Sequence, residues 1–364
     1  MNFIPQMEPN YDEKETEACY NYMKSGGWIT EFRETSKFAE SICKFTGAKY
    51  CHVVNNGTIS LSIALLAVGV KSGDKVIVPN LTMIATANAV KLIGAKPIFV
   101  DIEESSLCLD IDKTKELIEN DNIKAVFHVS LNTRCNDIIK LKEICKENNV
   151  YLLEDSAQSL GSYYKGQHLG TFGDIGSFSF SSPKIISTGQ GGALITNSEE
   201  LSENIKKIKD FGRCAGGSDL HDSFGINSKF TDLQAVVGIE QMKKLDWRVN
   251  RMKEIWNIYY NRLSKNENIQ MIESSDPQWI PWFIDIYIDN KKELQEYLKE
   301  NNIGSRPVYL PITNQKIYNE YDDNINFNVS KKYSEKGLWL PSSTKLTDTQ
   351  INYICDTIIN FYQK

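Results

Sequence analysis

From Tyr50 to Asp155 the chain repeats one pattern: a short run rich in Val, Ile and Leu, a turn, then a stretch with helical spacing. The strand-like runs are YCHVV, KVIVP, KPIFVDI, IKAVFHVS and VYLLED. Helical spacing is read over 59–70, 82–94, 110–120 and 137–148. Near-continuous apolar strands alternating with amphipathic helices predict a mostly parallel sheet covered on both faces, because alternate residues of each strand must be buried on opposite sides. In open sheets of this kind ligands gather beyond the strand C-terminal ends. Residues that directly follow strands are therefore the first place to look for chemistry.

Three such positions carry functional groups. Tyr151-Leu-Leu delivers Glu154 and Asp155 to a strand end. The alternating run SFSF is followed by Ser181, Ser182, Pro183 and Lys184, and then by Gly189, Gly191 and Gly192, which lead into the strand Ala193-Leu-Ile-Thr. A lysine amine and a strand-end carboxylate are what pyridoxal phosphate (PLP) chemistry needs, one for a Schiff base and the other to keep the pyridine nitrogen protonated. Tyr50–Val54 runs into Asn55-Asn56-Gly57-Thr58 and a long apolar helix, an arrangement whose free amides and helix dipole favour an anion. Thr58 reads as the helix cap. Strand alternation turns Glu154 away from Asp155, so it receives no role.

EDSAQ, FGDIGSFSF, the lysine four residues later and GQGGALIT resemble the DegT/StrS-type sugar aminotransferases. NNGTISLSIALLAVGV, GDKVIVPNLTMIATANAV, GAKPIFVDIE and GINSKFTDLQAVVGIEQ are similar to the same family in the same order. Within it the likeness is to perosamine-synthase-like members, which aminate a keto group on a nucleotide sugar. The resemblance runs from about Pro5 to YICDTI. It implies an α/β protein of PLP fold type I. A large domain (1–245) would hold a mostly parallel, mixed sheet sandwiched by helices, and a smaller C-terminal α/β domain would span 246–364. The first dozen residues would pack on that smaller domain.

The resemblance also assigns roles. Lys184 would bind the cofactor and move the proton, and Asp155 would partner the pyridine nitrogen. Asn56, Gly57, Thr58 and Ser179 would hold the phosphate. Gln158 would lie by the ring, and Met83 stands where many members carry a stacking aromatic. Asn227, in GINSKF, would reach the phosphate of a neighbouring subunit, which implies a homodimer with shared sites. Lys229 stands where the family commonly has arginine, keeping the charge without the two-pronged geometry. Asn132 and Arg134 occupy the place of a more aromatic family segment, and Arg134 suits phosphate or carboxylate recognition. Arg134, Asn132, Lys229, His221 and Arg306 form the substrate-side set, with Arg213 a weaker member. His168 reads as a loop residue in the hairpin YYKGQHLG. The amino donor implied is glutamate and the acceptor a nucleotide-linked keto sugar.

Composition narrows the alternatives. A formal charge of −6 over 364 residues, with no basic stripe, argues against nucleic acid. No apolar run approaches the ~20 residues of a membrane span. Eight cysteines without a C-x-x-C pair, four histidines and a polar, acidic N-terminus suit a reducing cytoplasm, and no metal site is expected. Asn132 and Arg134 leave open a small phosphorylated ketone, such as dihydroxyacetone phosphate, as acceptor. A deoxysugar dehydratase of the same fold would carry histidine in place of Lys184. A non-catalytic PLP-binding regulator is the remaining alternative. After the helical stretch RMKEIWNIYYNRLSK, with Ile255, Tyr259 and Leu263 on one face, the remainder from PWFIDIYI reads strand, helix, strand, loop and two helix-like ends, the first of those ends being KKYSEKGLWLP.

Overall fold

The computed structural model describes residues 2–214, 219–274, 276, 278–321 and 326–363. Two helices, α1 (Glu13–Lys24) and α2 (Arg33–Thr46), precede the first strand. The alternation then unfolds as the pattern requires: β1 (Tyr50–Val54), α3 (Gly57–Ala67), β2 (Lys75–Pro79), α4 (Ala85–Leu92), β3 (Lys96–Val100), α5 (Ile111–Asn120), β4 (Ile123–Val129), α6 (Ile138–Glu147) and β5 (Tyr151–Asp155). A small hairpin, β6 (Tyr163–Tyr164) and β7 (Gln167–His168), leads to β8 (Ile175–Ser179), β9 (Gly192–Thr196) and α7 (Glu199–Lys209).

The sheet order is β1-β9-β8-β5-β4-β2-β3, and only β9 runs antiparallel to its neighbours. Side-chain alternation distributes its two faces. Val76, Val78, Ala125, Phe127 and Leu153 pack with Leu61 and Leu65 of α3 and Ile205 of α7. The intervening residues Ile77, Val126 and Leu152 pack on the other side with Ile118 of α5 and Leu141 of α6. Leu153 and Asp155 thus share a face, and Glu154 points to the opposite one. There the Glu154 carboxylate accepts the amides of Gly170, Phe172 and Gly173, each at 2.7 Å. Burial pushes it up to about 7 while those three amides pull it back. It organises the turn into β8 and takes no part in the site.

The chain continues through α8 (Asp232–Lys243) into α9 (Leu245–Leu263). Leu245 packs in the core that holds Phe38, Phe178 and Phe180, whereas Met252, Ile255 and Tyr259 belong to a second core. That core is built on β10 (Ile284–Tyr287), α10 (Lys291–Glu300), β12 (Gly337–Leu340) and α12 (Asp348–Tyr362), with β11 (Arg306–Pro307) and α11 (Asn328–Lys336) lying outside it. The antiparallel sheet of this unit runs β10-β12-β11. The N-terminal segment joins it: Ile4 pairs with Ile303, and Gln6 bonds to Leu340 and Ser342.

Two local readings differ from the structure. KKYSEKGLWLP is not one helix-like end: α11 stops at Lys336 and GLWL becomes the central strand of the C-terminal sheet. Four apolar residues are too few to reveal a period, so helix and strand look alike. The switch occurs at Gly337, where a Cβ would lie 2.7 Å from the Tyr333 carbonyl and the Val308 side chain. The cap of α3 is Asn56, whose side chain accepts the Ile59 amide at 2.8 Å; Thr58 sits inside the first turn.

Candidate active site

Five parallel strands, β1, β2, β4, β5 and β8, end at one cavity of about 290 Å³. Each strand contributes the residues that follow or finish it. Asn56, Gly57 and Thr58 come after β1, and Thr82, Met83 and Ala85 after β2. Val129 ends β4, and Asp155, Ala157 and Gln158 come from the end of β5. Ser179, Ser181 and Lys184 come from β8 and its loop, and Gln190 leads into β9.

The floor near α3 is tightly packed backbone. As the first residues of α3, Gly57 and Thr58 have amides without intrahelical acceptors. A Cβ on Gly57 would lie 2.8 Å from the Ser179 Cβ. A Cβ on Gly192 would lie 2.7 Å from the Asn56 backbone. The turn, β8 and β9 can therefore close on one another only because both positions lack a side chain. Phe178 and Phe180 are buried in the core, and Ser179 between them lines the cavity beside the Ser181 hydroxyl.

Asp155 is 6 % exposed. One carboxylate oxygen accepts the Thr86 hydroxyl at 2.6 Å and the other the Ala157 amide at 3.2 Å. Burial pushes its carboxyl above the usual range, while the Thr86 bond, the Ala157 amide and the Lys184 amine pull it down. Lys184 follows Pro183, and its amide is tied to the Ser181 carbonyl at 2.9 Å. Burial pushes its amine down to about 8. Asp155 opposes that shift and the Arg306 guanidinium adds to it. An amine in that range exchanges its proton readily near neutral pH. Gln158 is oriented by the Asn132 amide, which donates to its side-chain oxygen at 2.5 Å. Met83, 43 % exposed, forms the rim.

The residues expected on the substrate side are distributed differently. Arg134 does not border the cavity. It is 1 % exposed and makes a two-pronged ion pair with Asp285 on β10, and its Nε and Nη2 also donate to the Ile272 carbonyl. The Asn132 side chain is likewise turned away, clasping the Phe283 backbone through both its N–H and its C=O at 2.8 Å. Asn132 and Thr133 adopt left-handed φ of 51° and 67°, which redirects this loop into the C-terminal unit. The loop ties the large sheet to the C-terminal one.

Lys229 bonds to Asp210 at 2.8 Å. The exposed His221 ring lies 2.8 Å from the Phe211 carbonyl, and Arg213 pairs with His221 across an isolated bridge. Asn227 is exposed and stands outside its own chain's cavity. Arg306 is exposed and lies over the Trp339 and Phe283 rings at 4.7 and 5.6 Å. His168 is no surface loop residue. It is 2 % exposed, accepts the Gly161 amide at 2.9 Å and is pushed down to about 4 by burial.

Sequence reading missed Thr82, Thr86, Ser181, Gln190 and Trp282. The strand-end rule covers Thr82 and Thr86, which follow β2. Trp282 arrives from the C-terminal unit, and no local signal marks it. Thr82 Oγ1 is a buried hydroxyl with no partner within the described chain. Free helix-start amides with serine hydroxyls suit a phosphate, a buried carboxylate suits a protonated ring nitrogen, and the Lys184 amine suits a carbonyl carbon. This donor set fits PLP.

A model of the DegT/DnrJ/EryC1/StrS aminotransferase family matches residues 9–359. The GDP-perosamine synthase of Escherichia coli O157:H7 is 33% identical over 365 residues, covering 100% of this chain and 99% of its own. That of Vibrio cholerae is 32% identical over 364 residues, covering 99% of each. Among solved structures, Helicobacter pylori PseC, an aminotransferase of pseudaminic acid biosynthesis, shares the fold with a TM-score of 0.93 at 23% identity over all of both chains.

Proposed function

The chain belongs to the DegT/DnrJ/EryC1/StrS family of PLP-dependent aminotransferases, and from that premise we propose that it transfers an amino group to the keto carbon of a nucleotide-linked sugar. The observation that carries this is the joining of Lys184, Asp155 and the α3 N-terminus around one cavity, in a chain whose full length aligns with two GDP-perosamine synthases. Bound PLP supplies an electron sink that stabilises negative charge on the carbon next to the nitrogen. The chain supplies the rest. Asp155, oriented by the Thr86 hydroxyl, would partner the ring nitrogen. The α3 amides with Thr58, Ser179 and Ser181 would hold the phosphate. Gln158 would lie by the ring, and Lys184 Nζ would take and return the proton at the reacting carbon.

The donor in this reading is glutamate, and the product serves surface polysaccharide assembly. The small phosphorylated ketone loses its basis, because Asn132 and Arg134 are engaged with Phe283 and Asp285. Lys184 itself weighs against the dehydratase branch. Exposed Asn227 supports a homodimer in which each subunit completes its neighbour's phosphate site. Among the described residues no helix is long and apolar enough to cross a membrane, and the reading places the enzyme in the cytoplasm. The test is incubation with ¹⁵N-glutamate and a panel of 4-keto nucleotide sugars and phosphorylated ketones. Label should appear by mass spectrometry in an amino nucleotide sugar. Label only in a small phosphorylated amine would overturn the acceptor, and label from another amino acid alone would overturn the donor.

A further inference from the structure

Lys184 Nζ lies 4.1 Å from the centroid of the Trp282 ring. The contact joins the loop after β8 to the segment that enters β10. The indole is held on several sides. Its Nε1 donates at 2.6 Å to the carbonyl of Pro183, the residue immediately before the lysine. Its face stacks on Phe283 with centroids 3.7 Å apart, and its edge meets Trp339 at 6.0 Å. Phe283 is in turn gripped at both backbone groups by Asn132. Trp282 is 6 % exposed, so little water competes for its face. An indole bonded to the backbone beside the lysine, with its face toward that lysine's amine, has a fixed relation to the reactive nitrogen.

We infer that Trp282 is a positioning residue for Lys184: the C-terminal unit supplies an aromatic seat on which the lysine ammonium rests, at the cavity wall, whenever its nitrogen is not covalently engaged. This rests on Lys184 being the cofactor lysine. The electron-rich ring face attracts a cation and has little pull on a neutral amine. It therefore favours the protonated form that burial opposes. The other charged and titratable groups around the amine are Asp155, which raises its proton affinity, and Arg306, which lowers it. The Tyr309 hydroxyl is influenced by both Arg306 and Asp155. Glu8 and Arg248 line the small recess that Lys184 also borders. Against this background the indole face favours the protonated amine, where burial disfavours it. The Pro183 bond keeps the ring face beside the amine.

The test uses cofactor-free protein and reads Lys184 alone. Competitive acylation with acetic anhydride, followed by mass spectrometry of the Lys184 peptide, gives the midpoint of its titration, expected at about 8 in the unaltered protein. Trp282→Leu keeps an apolar wall and removes the face, so the midpoint should fall by about one unit, a tenfold loss of proton affinity. Trp282→Phe keeps a weaker face and should fall by less. Biosynthetic fluorination of the indoles weakens the face without changing the fold, and should move the midpoint in the same direction even if Trp282→Leu does not fold. A midpoint unchanged or raised in these proteins overturns the inference. Borohydride reduction of the holoenzyme checks the reading beneath it: a pyridoxyl label on another lysine would overturn that reading, whatever Trp282 does.

Discussion

Arg134 and Asp285 meet as a buried, two-pronged pair, with Nη1 to Oδ2 at 2.8 Å and Nη2 to Oδ1 at 2.7 Å. The pair links the loop after β4 to β10, an edge strand of the C-terminal sheet. Tyr287 adds a hydroxyl bond to the same carboxylate at 2.9 Å. Removing one partner strands a buried charge, which costs about 3–5 kcal/mol. Arg134→Ala should therefore lower the unfolding midpoint by several degrees, as should Asp285→Ala. A double replacement by well-packed apolar residues should recover part of the loss. Thermal denaturation decides: an unshifted midpoint in Arg134→Ala would show that the pair contributes nothing.

The Thr86 hydroxyl donates to the Asp155 carboxylate at 2.6 Å and favours its charged form against the burial that opposes it. Asp155→Asn should slow turnover at least ~10²-fold, since it removes a charge partner at the reacting centre. Thr86→Val should act more gently and with a defined sign. Loss of a donor to the ionised form raises the carboxyl further, so the acidic limb of the kcat/KM profile should move to higher pH. A limb that stays in place or moves down would contradict this role for Thr86.

Gly57 and Gly192 each occupy a position where a methyl group has no room. At Gly57 the obstacle is the Ser179 side chain, and at Gly192 it is the Asn56 backbone. Overpacking of this kind costs about 1–3 kcal/mol. Both alanine variants should weaken PLP binding by roughly tenfold or more. Gly192→Ala should be the worse, because backbone cannot turn aside as a serine can. PLP titration followed by absorbance, with circular dichroism to confirm folding, gives the ranking. Equal affinity in all three proteins would rule out the cradle.

Asn227 is expected to act across a two-fold interface, where the same patch is present on both subunits. Lys184→Ala and Asn227→Ala subunits should each be inactive alone. Mixed and allowed to exchange, they should regain part of the activity, because one hybrid site carries both lesions and the other carries none. Absence of recovery after exchange verified by mass spectrometry would favour sites complete within one chain.

The alternation of apolar strands and amphipathic helices was legible because it is local. Each strand from β1 to β5 needs only its own residues to declare that both faces are buried. The same rule pointed to strand ends, and Asn56, Gly57, Thr58, Met83, Asp155, Gln158, Ser179 and Lys184 all line one cavity there. Arg134 and Asn132 follow a strand too, yet they face elsewhere. Their direction depends on left-handed backbone at Asn132 and Thr133 and on acceptors at Ile272, Phe283 and Asp285, more than a hundred positions downstream. Trp282 and the strand Gly337–Leu340 belong to the same class. Sequence by itself determined which backbone segments form the parallel sheet and which groups stand at its ends, since periodicity and turn chemistry are short-range. Only the tertiary structure decided which of those groups face the cavity and which bind the C-terminal unit, because burying a charge or an amide requires a partner that no local pattern can name.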